Sequence, residues 1–219
     1  MHPLAENIRG LYAIADTATC DDEVLLEKVR LVLAGGCRVL QYRDKSSDKK
    51  KRLAQAGELR LLCNKAGAVF IINDDAELAM QVNADGVHCG RDDATVSEIR
   101  TRYPSLMIGA SCYNSLQRAE QAIINGADYL AFGRFYPSST KPEATPANIG
   151  ILHQAKRRFD HPVVAIGGIV AENAGILISS GASAVAVISG VFSTADPYLS
   201  SQEISAMFSN PKQAAGTQP

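Results

Sequence analysis

The sequence contains no tryptophan and only 6% aromatic residues, and its five cysteines (Cys20, Cys37, Cys63, Cys89 and Cys112) include no Cys-x-x-Cys pair. An odd number without that spacing suggests neither a disulfide framework nor a thiolate zinc site, so the thiols read as buried and free. Excess charge of either sign is also missing. Lys and Arg number 22 against 23 Asp and Glu, a formal net charge of -1. Nucleic acid or an anionic membrane as the main partner needs a dominant basic field, and neither is expected here. The longest nearly uncharged apolar stretch, residues 162–171, is interrupted by Gly167 and Gly168, at about half of the ~20 residues a membrane-spanning helix takes. The amino-terminal segment 1–7 lacks the basic start and apolar core of a secretory signal, so the expected compartment is the cytoplasm. Phosphate-loop, dinucleotide, His-Glu-x-x-His and Gly-x-Ser-x-Gly motifs are absent. Kinase, dehydrogenase, zinc protease and serine hydrolase readings fall with them.

What is present is an ordinary globular composition, 219 residues with 46% hydrophobic and 21% charged, long enough to bury one sizeable core. Short apolar runs recur at 11–16, 39–43, 69–74, 86–89, 107–111, 129–133, 163–168 and 184–189. Continuous rather than alternating apolar runs are the mark of parallel strands buried on both faces, which need helical crossovers. Helices are expected over 22–34, 48–65, 76–81, 95–103, 115–125, 146–158, 171–179 and 198–208, with Gly35-Gly36, Gly67, Gly126 and Gly181 placed as C-caps. Eight strand–helix units in about 200 residues predict a (β/α)8 TIM barrel. An open doubly wound sheet is the alternative, because periodicity does not say whether a parallel sheet closes. One catalytic domain over 1–209 is expected, with 210–219 a disordered tail.

In a barrel the chemistry lies at the carboxyl ends of the strands. The second run ends Gln41-Tyr42-Arg43-Asp44-Lys45, where alternation puts Gln41, Arg43 and Lys45 on one side. That set reads as an anion site or as a solvated strand end carrying surface charges. The third run ends Asn73-Asp74-Asp75 and the fourth is followed by Arg91-Asp92-Asp93. Asp74 and Asp93 are candidate magnesium ligands, since Mg²⁺ takes one or two carboxylates with waters and phosphate oxygens, while Asp75 and Asp92 suit helix N-capping. Small residues at Gly167-Gly168 and at Ile188-Ser189 close the seventh and eighth runs, where barrels bind phosphate through backbone N–H groups, although a glycine pair is also an ordinary turn. Ser111 reads equally as a ligand to a substrate ring or as a partner of local backbone. His88 reads as a supporting residue, and Tyr12, Tyr42 and Tyr129 as core or pocket wall. A proline-rich loop, 135–148, carries Lys141 and is a candidate lid. Two facing anion sites predict two phosphorylated substrates, a metal-bound diphosphate that leaves and a monophosphate that anchors.

With these residues in view the chain resembles the thiamine phosphate synthases. The resemblance rests on Gln41-Tyr42-Arg43-Asp44-Lys45, Ile72-Asn73-Asp74-Asp75, Ala84-Asp85-Gly86-Val87-His88 through Gly90 and Asp93, Gly109-Ala110-Ser111, Gly133 through Tyr136-Pro137-Ser138-Ser139-Thr140-Lys141, Gly167-Gly168-Ile169 and Ile188-Ser189, in family order over about residues 10–192. It implies a magnesium-dependent transferase joining 4-amino-2-methyl-5-(diphosphooxymethyl)pyrimidine to 4-methyl-5-(2-phosphooxyethyl)thiazole or its 2-carboxy form, releasing diphosphate. By carry-over, Gln41, Arg43, Lys45 and Asn73 hold the pyrimidine diphosphate, Asp74 and Asp93 hold Mg²⁺, and Ser111 and Lys141 complete that site. Lys141, Ser111 and Arg43 take the catalytic roles. Ser138, Thr140, Gly168, Ile188 and Ser189 bind the thiazole phosphate. Three departures stand out: Arg134 where proline is frequent, Ser138 where threonine is frequent, and Arg91-Asp92 where Gln-Glu is frequent. The rival readings are a thiazole tautomerase of the same superfamily and a non-catalytic phospholigand-binding barrel; no protein partner is implied.

Overall fold

The computed structural model describes residues 1–20, 22–90, 95–137 and 145–209. The predicted lid residues Ser138, Thr140 and Lys141, the candidate ligand Asp93 and the tail 210–219 lie outside them. Eight strands, β1 Gly10–Asp16, β2 Val39–Arg43, β3 Val69–Asn73, β4 Gly86–Cys89, β5 Met107–Tyr113, β6 Tyr129–Gly133, β7 Val163–Ile166 and β8 Ala184–Val187, alternate with helices α1 Asp22–Ala34, α2 Lys49–Ala66, α3 Ala76–Gln81, α4 Val96–Arg102, α5 Leu116–Ile124, α6 Gly150–Arg158, α7 Ala171–Ser179, α8 Ser189–Phe192 and α9 Pro197–Ser209. All neighbouring strands pair in parallel, and β1 pairs with β8 from Gly10↔Ala184 to Ala13↔Val187, which closes the barrel and removes the open-sheet alternative.

Period-two alternation sorts each strand between two cores. Leu11, Leu40, Phe70, Val87, Ile108, Leu130, Val163 and Val185 pack outward with the helices, whereas Tyr12, Val39, Ile71, Met107, Tyr129, Val164 and Ala186 fill the interior. A 3₁₀ helix, Pro3–Asn7, was not expected from the sequence; it carries Ala5 and Ile8 into the interior cluster beneath the first strand.

Register at the amino-terminal end is pinned by the residue that precedes each of β4, β6 and β8. Asp85 accepts from Phe70 N at 2.8 Å, Asp128 from Ile108 N at 2.9 Å and Ser183 Oγ from Val163 N at 3.3 Å. Arg60 and Arg100 neutralise the two carboxylates from outside. Asp85, part of a recognisable motif, is therefore structural: it satisfies an otherwise unpaired strand N–H.

One expected helix starts later and one unexpected helix appears. The sixth helix begins at Gly150 rather than 146, because Asn148 Oδ1 accepts the Gly150 N–H at 2.8 Å and Ala147 N donates to Arg134 O at 2.7 Å, which ties the preceding residues to the end of β6. The four-residue α8 directly after β8 was not expected either. Gly36, Gly67, Gly126 and Gly181 all have positive φ at the helix ends, as their placement as caps requires. All five cysteines are buried. Burial pushes the thiols of Cys37 and Cys112 up to about 12. Among the described residues no helix is long and apolar enough to cross a membrane.

Candidate active site

The carboxyl ends of the strands surround a cavity of about 390 Å³, within the size range of small-molecule sites. Gln41, Arg43, Lys45, Asn73, Asp74, Ser111, Gly168, Ile188 and Ser189 all line it. Alternation along β2 accounts for the first three: Tyr42 and Asp44 point the other way, where the Tyr42 hydroxyl lies against Asp44 at 3.2 Å and Gln55 at 2.8 Å.

Neither cation faces the cavity as a bare charge. Arg43 Nη1 donates to Asp16 Oδ2 at 2.6 Å, and Asp16, its side chain 1% exposed, also accepts from Ala18 N at 3.1 Å. Lys45 Nζ is paired with Asp74 Oδ2. The expected cationic pocket is therefore a set of two ion pairs whose formal charges sum to zero. Asp16 gave no signal in the sequence, since its carboxylate meets Arg43 only when β1 and β2 pair, in register Asp16↔Arg43.

Asp74 adopts φ +63°, an uncommon conformation that Asp and Asn tolerate best, and its N–H donates to His88 O at 2.9 Å across to β4. Asn73 Nδ2 and Lys45 both bond its Oδ2, so Oδ1 takes no hydrogen bond among the described residues. A hard oxygen at the cavity wall with one atom uncommitted fits Mg²⁺, which keeps waters and ligand oxygens for its other positions. Among the described residues no three His, Cys, Asp or Glu cluster as a metal site. Asp75 caps α3 through Leu78 N at 2.9 Å, as its position suggested.

Across the interior runs a line of hydroxyl, imidazole and amide groups. His88 Nε2 meets Ser111 Oγ at 3.0 Å and its Nδ1 meets Tyr129 Oη at 3.2 Å. Tyr129 Oη lies 3.0 Å from Tyr12 Oη, which donates to Gln41 Oε1 at 3.3 Å. Gln41 Nε2 continues to Asn73 Oδ1 at 2.8 Å. His88 is thus in the cavity wall itself. Burial pushes the Tyr12 and Tyr129 phenols above their ordinary range, so both stay protonated. A register shift between Ser111 and Tyr113, the latter at φ +56°, brings both into the cavity lining while Cys112 turns to the outer core.

Opposite, Gly167 and Gly168 adopt φ +107° and +63°. A Cβ on Gly167 would lie 2.3 Å from Arg134 Cβ, and one on Gly168 2.3 Å from Pro137 O. The glycines thus let the stem of the 135–148 loop lie on the β7 end, where Phe135 N and Tyr136 N donate to Ile166 O and Gly167 O at 3.1 and 3.0 Å. Asn173 holds the same turn, donating to Gly168 O at 3.0 Å and accepting from Val170 N at 2.9 Å. Sequence reasoning missed Asn173, whose residue type is unremarkable within a helix.

Comparisons with known proteins give the family. The family model described as thiamine monophosphate synthase matches residues 11–191. A thiamine-phosphate synthase of Thiobacillus denitrificans is 49% identical over 200 residues, covering 91% of this chain and 94% of its own length. One from Acidithiobacillus ferrooxidans is 43% identical over 210 residues, with 94% and 97% covered. The solved thiamine phosphate pyrophosphorylase of Pyrococcus furiosus superposes with a TM-score of 0.86 at 31% identity, over 96% of this chain and 99% of that one. A 3-hexulose-6-phosphate synthase at 14% identity and TM-score 0.65 shares the fold alone. The chain belongs to the thiamine monophosphate synthase family and is a transferase that makes thiamine phosphate.

Proposed function

We propose that the enzyme joins 4-amino-2-methyl-5-(diphosphooxymethyl)pyrimidine to 4-methyl-5-(2-phosphooxyethyl)thiazole, or to its 2-carboxy form, with Mg²⁺ at Asp74 and Asp93. The observation that carries this reading is the convergence on one cavity of Arg43, Lys45 and Asp74 on one side and the Gly168 and Ile188-Ser189 turns on the other. Gln41, Asn73 and Ser111 lie between them and suit a polar heterocycle, while Tyr12 and Tyr129 wall its edge. Lys141, Ser138 and Thr140, outside the described residues, are assigned to the loop that covers the two ligands. The protein acts as one catalytic domain in the cytoplasm.

The reaction breaks the C–O bond between the pyrimidine methylene and the diphosphate; the electron pair leaves with the oxygen. The thiazole nitrogen then gives its lone pair to the methylene carbon, forming the C–N bond; with the 2-carboxy form the bond from C2 to the carboxylate then breaks, CO2 leaves, and the electron pair left on C2 takes a proton. Bound Mg²⁺ supplies charge to offset that developing on the departing diphosphate. Arg43 and Lys45 orient the same oxygens through N–H donors not used by Asp16 and Asp74, and Lys141 adds a cation from the loop. Backbone N–H groups at 168 and 188–189 hold the thiazole phosphate by dipole rather than by charge. Covering the site excludes water, the competing nucleophile.

Incubating the purified chain with both phosphorylated substrates and Mg²⁺ tests the assignment: thiamine phosphate and diphosphate should appear in equal amounts. Isomerisation of the carboxythiazole phosphate without diphosphate release would establish the tautomerase instead. Binding of both ligands with no turnover would leave only a binding barrel.

A further inference from the structure

The line of polar groups across the cavity has a direction, and the direction follows from counting hydrogens. A carboxylate only accepts. Asn73 must therefore turn Nδ2 to Asp74, which leaves Asn73 Oδ1 for Gln41 and requires Gln41 to offer Nε2. Gln41 Oε1 then faces Tyr12, whose single hydroxyl hydrogen goes there. The Tyr12 oxygen can only accept, so Tyr129 donates to it; the Tyr129 oxygen can in turn only accept, so His88 Nδ1 bears a hydrogen. This holds because both phenols are buried and protonated. In a neutral imidazole with Nδ1–H, Nε2 is the acceptor and takes the Ser111 hydrogen. Ser111 Oγ is left with lone pairs, and no hydrogen, for whatever lies against it.

We propose that His88 is a positioning residue, held as the Nδ1–H tautomer by the chain Asp74–Asn73–Gln41–Tyr12–Tyr129, and that it presents Ser111 to the substrate ring as a hydrogen-bond acceptor. The ring position received at Ser111 is then an N–H donor, not a carbonyl or an unprotonated ring nitrogen. This rests on the proposed role of Ser111 as a substrate contact. It adds that selectivity at this spot is set at the other end of the hydrogen-bond chain, by the Asp74 carboxylate, with five residues between.

The test reads the tautomer directly, on the full chain without ligand. Long-range ¹H–¹⁵N correlations of histidine-labelled protein at mildly alkaline pH, with His88 assigned by comparison with His88→Gln, should show Nδ1 protonated and Nε2 unprotonated. Tyr12→Phe removes the acceptor that fixes the Tyr129 hydrogen, freeing Tyr129 to donate to His88; the Nε2–H signature should then appear. Tyr129→Phe, which deletes the acceptor of Nδ1–H, should shift the signature the same way and serves if Tyr12→Phe fails to fold. In Tyr12→Phe the KM for the pyrimidine diphosphate should rise about tenfold, the worth of one misdirected hydrogen bond, with the KM for the thiazole phosphate within about twofold of wild type. An Nε2–H tautomer in wild type, or an unchanged Nδ1–H signature in both tyrosine variants, overturns the inference. Failure of the wild type to form thiamine phosphate would overturn the proposed function instead, and leaves the tautomer reading standing or falling on its spectrum.

Discussion

Replacing Gly109 by alanine would put a methyl carbon 2.0 Å from Tyr129 Cζ, 2.4 Å from its Oη and 2.5 Å from Cε1, inside the barrel. Something must move, and Tyr129 is 0% exposed, so the ring has no solvent to swing into. Inserting a methyl group into a filled core costs about 1–3 kcal/mol. Displacing the ring also strains the hydroxyl's bonds to Tyr12 and His88, each worth about 0.5–1.5 kcal/mol. Against this, alanine in a strand saves roughly 0.5–1 kcal/mol of backbone entropy relative to glycine. The steric term wins, for a net loss of about 1–5 kcal/mol. At roughly 2–4 °C per kcal/mol for a chain of this size, Tm should fall by about 2–20 °C, measured by circular dichroism. The decisive comparison uses Tyr129→Leu, which lacks the three clashing atoms. That variant is itself destabilised by the lost ring, but adding Gly109→Ala to it should be neutral or stabilising, so the glycine substitution changes sign between the two backgrounds. Equal effects in both would refute the claim that Gly109 exists to seat Tyr129.

Three further outcomes follow from the site. Asp16→Ala leaves Arg43 without its carboxylate; because Arg43 is 20% exposed and can turn to water, stability should fall by only about 1–3 kcal/mol in urea unfolding, while the KM for the pyrimidine diphosphate rises at least about tenfold and that for the thiazole phosphate does not. Asp74→Asn keeps the shape and tolerates φ +63°, so circular dichroism should match wild type while half-maximal activity requires at least about tenfold more Mg²⁺; an unchanged Mg²⁺ titration would contradict the metal assignment. The buried thiols should resist labelling, since with Cys37 and Cys112 raised to about 12 only about one in 10⁴ is thiolate at pH 8. Native protein should release far less than one equivalent of chromophore from an aromatic disulfide reagent within minutes, and five only after denaturation.

The strands and most helix bounds could be read from the sequence because a doubly buried parallel strand leaves a continuous apolar run and each crossover helix leaves punctuation at its ends. α1, α3 and α7 fall on the predicted residues 22–34, 76–81 and 171–179. Closure could not be read this way: it rests on Gly10–Ala13 of β1 meeting Ala184–Val187 of β8, a pairing that local periodicity does not contain. The same distinction runs through the site. Gln41, Arg43 and Lys45 were assignable to one face because they share a strand. Asp16, which holds Arg43, and Tyr12 and Tyr129, which join 117 positions apart, were not. Gly109 looked like part of a Gly-Ala-Ser motif at a strand end, yet its role is set by an aromatic ring on the next strand.

The two ends of the barrel use similar residue types to opposite effect. At the amino-terminal end Asp85 and Asp128 each accept a strand N–H and an arginine, so both carboxylates serve the fold. At the carboxyl end Asp16 and Asp74 are paired with cations that themselves line the cavity. On the proposed function, a neutral sum over these two ion pairs is a reason for a divalent ion to join them rather than an argument against one. Arg43, Lys45, Asp16 and Asp74 together offer a multiply charged diphosphate no net attraction, whereas the same four with Mg²⁺ carry a formal charge of about +2. On that reading, binding and ionisation of the leaving group would depend on metal and substrate arriving together. A free Arg–Lys pocket would bind any cellular phosphate, whereas this pairing would withhold that attraction until the ion is present.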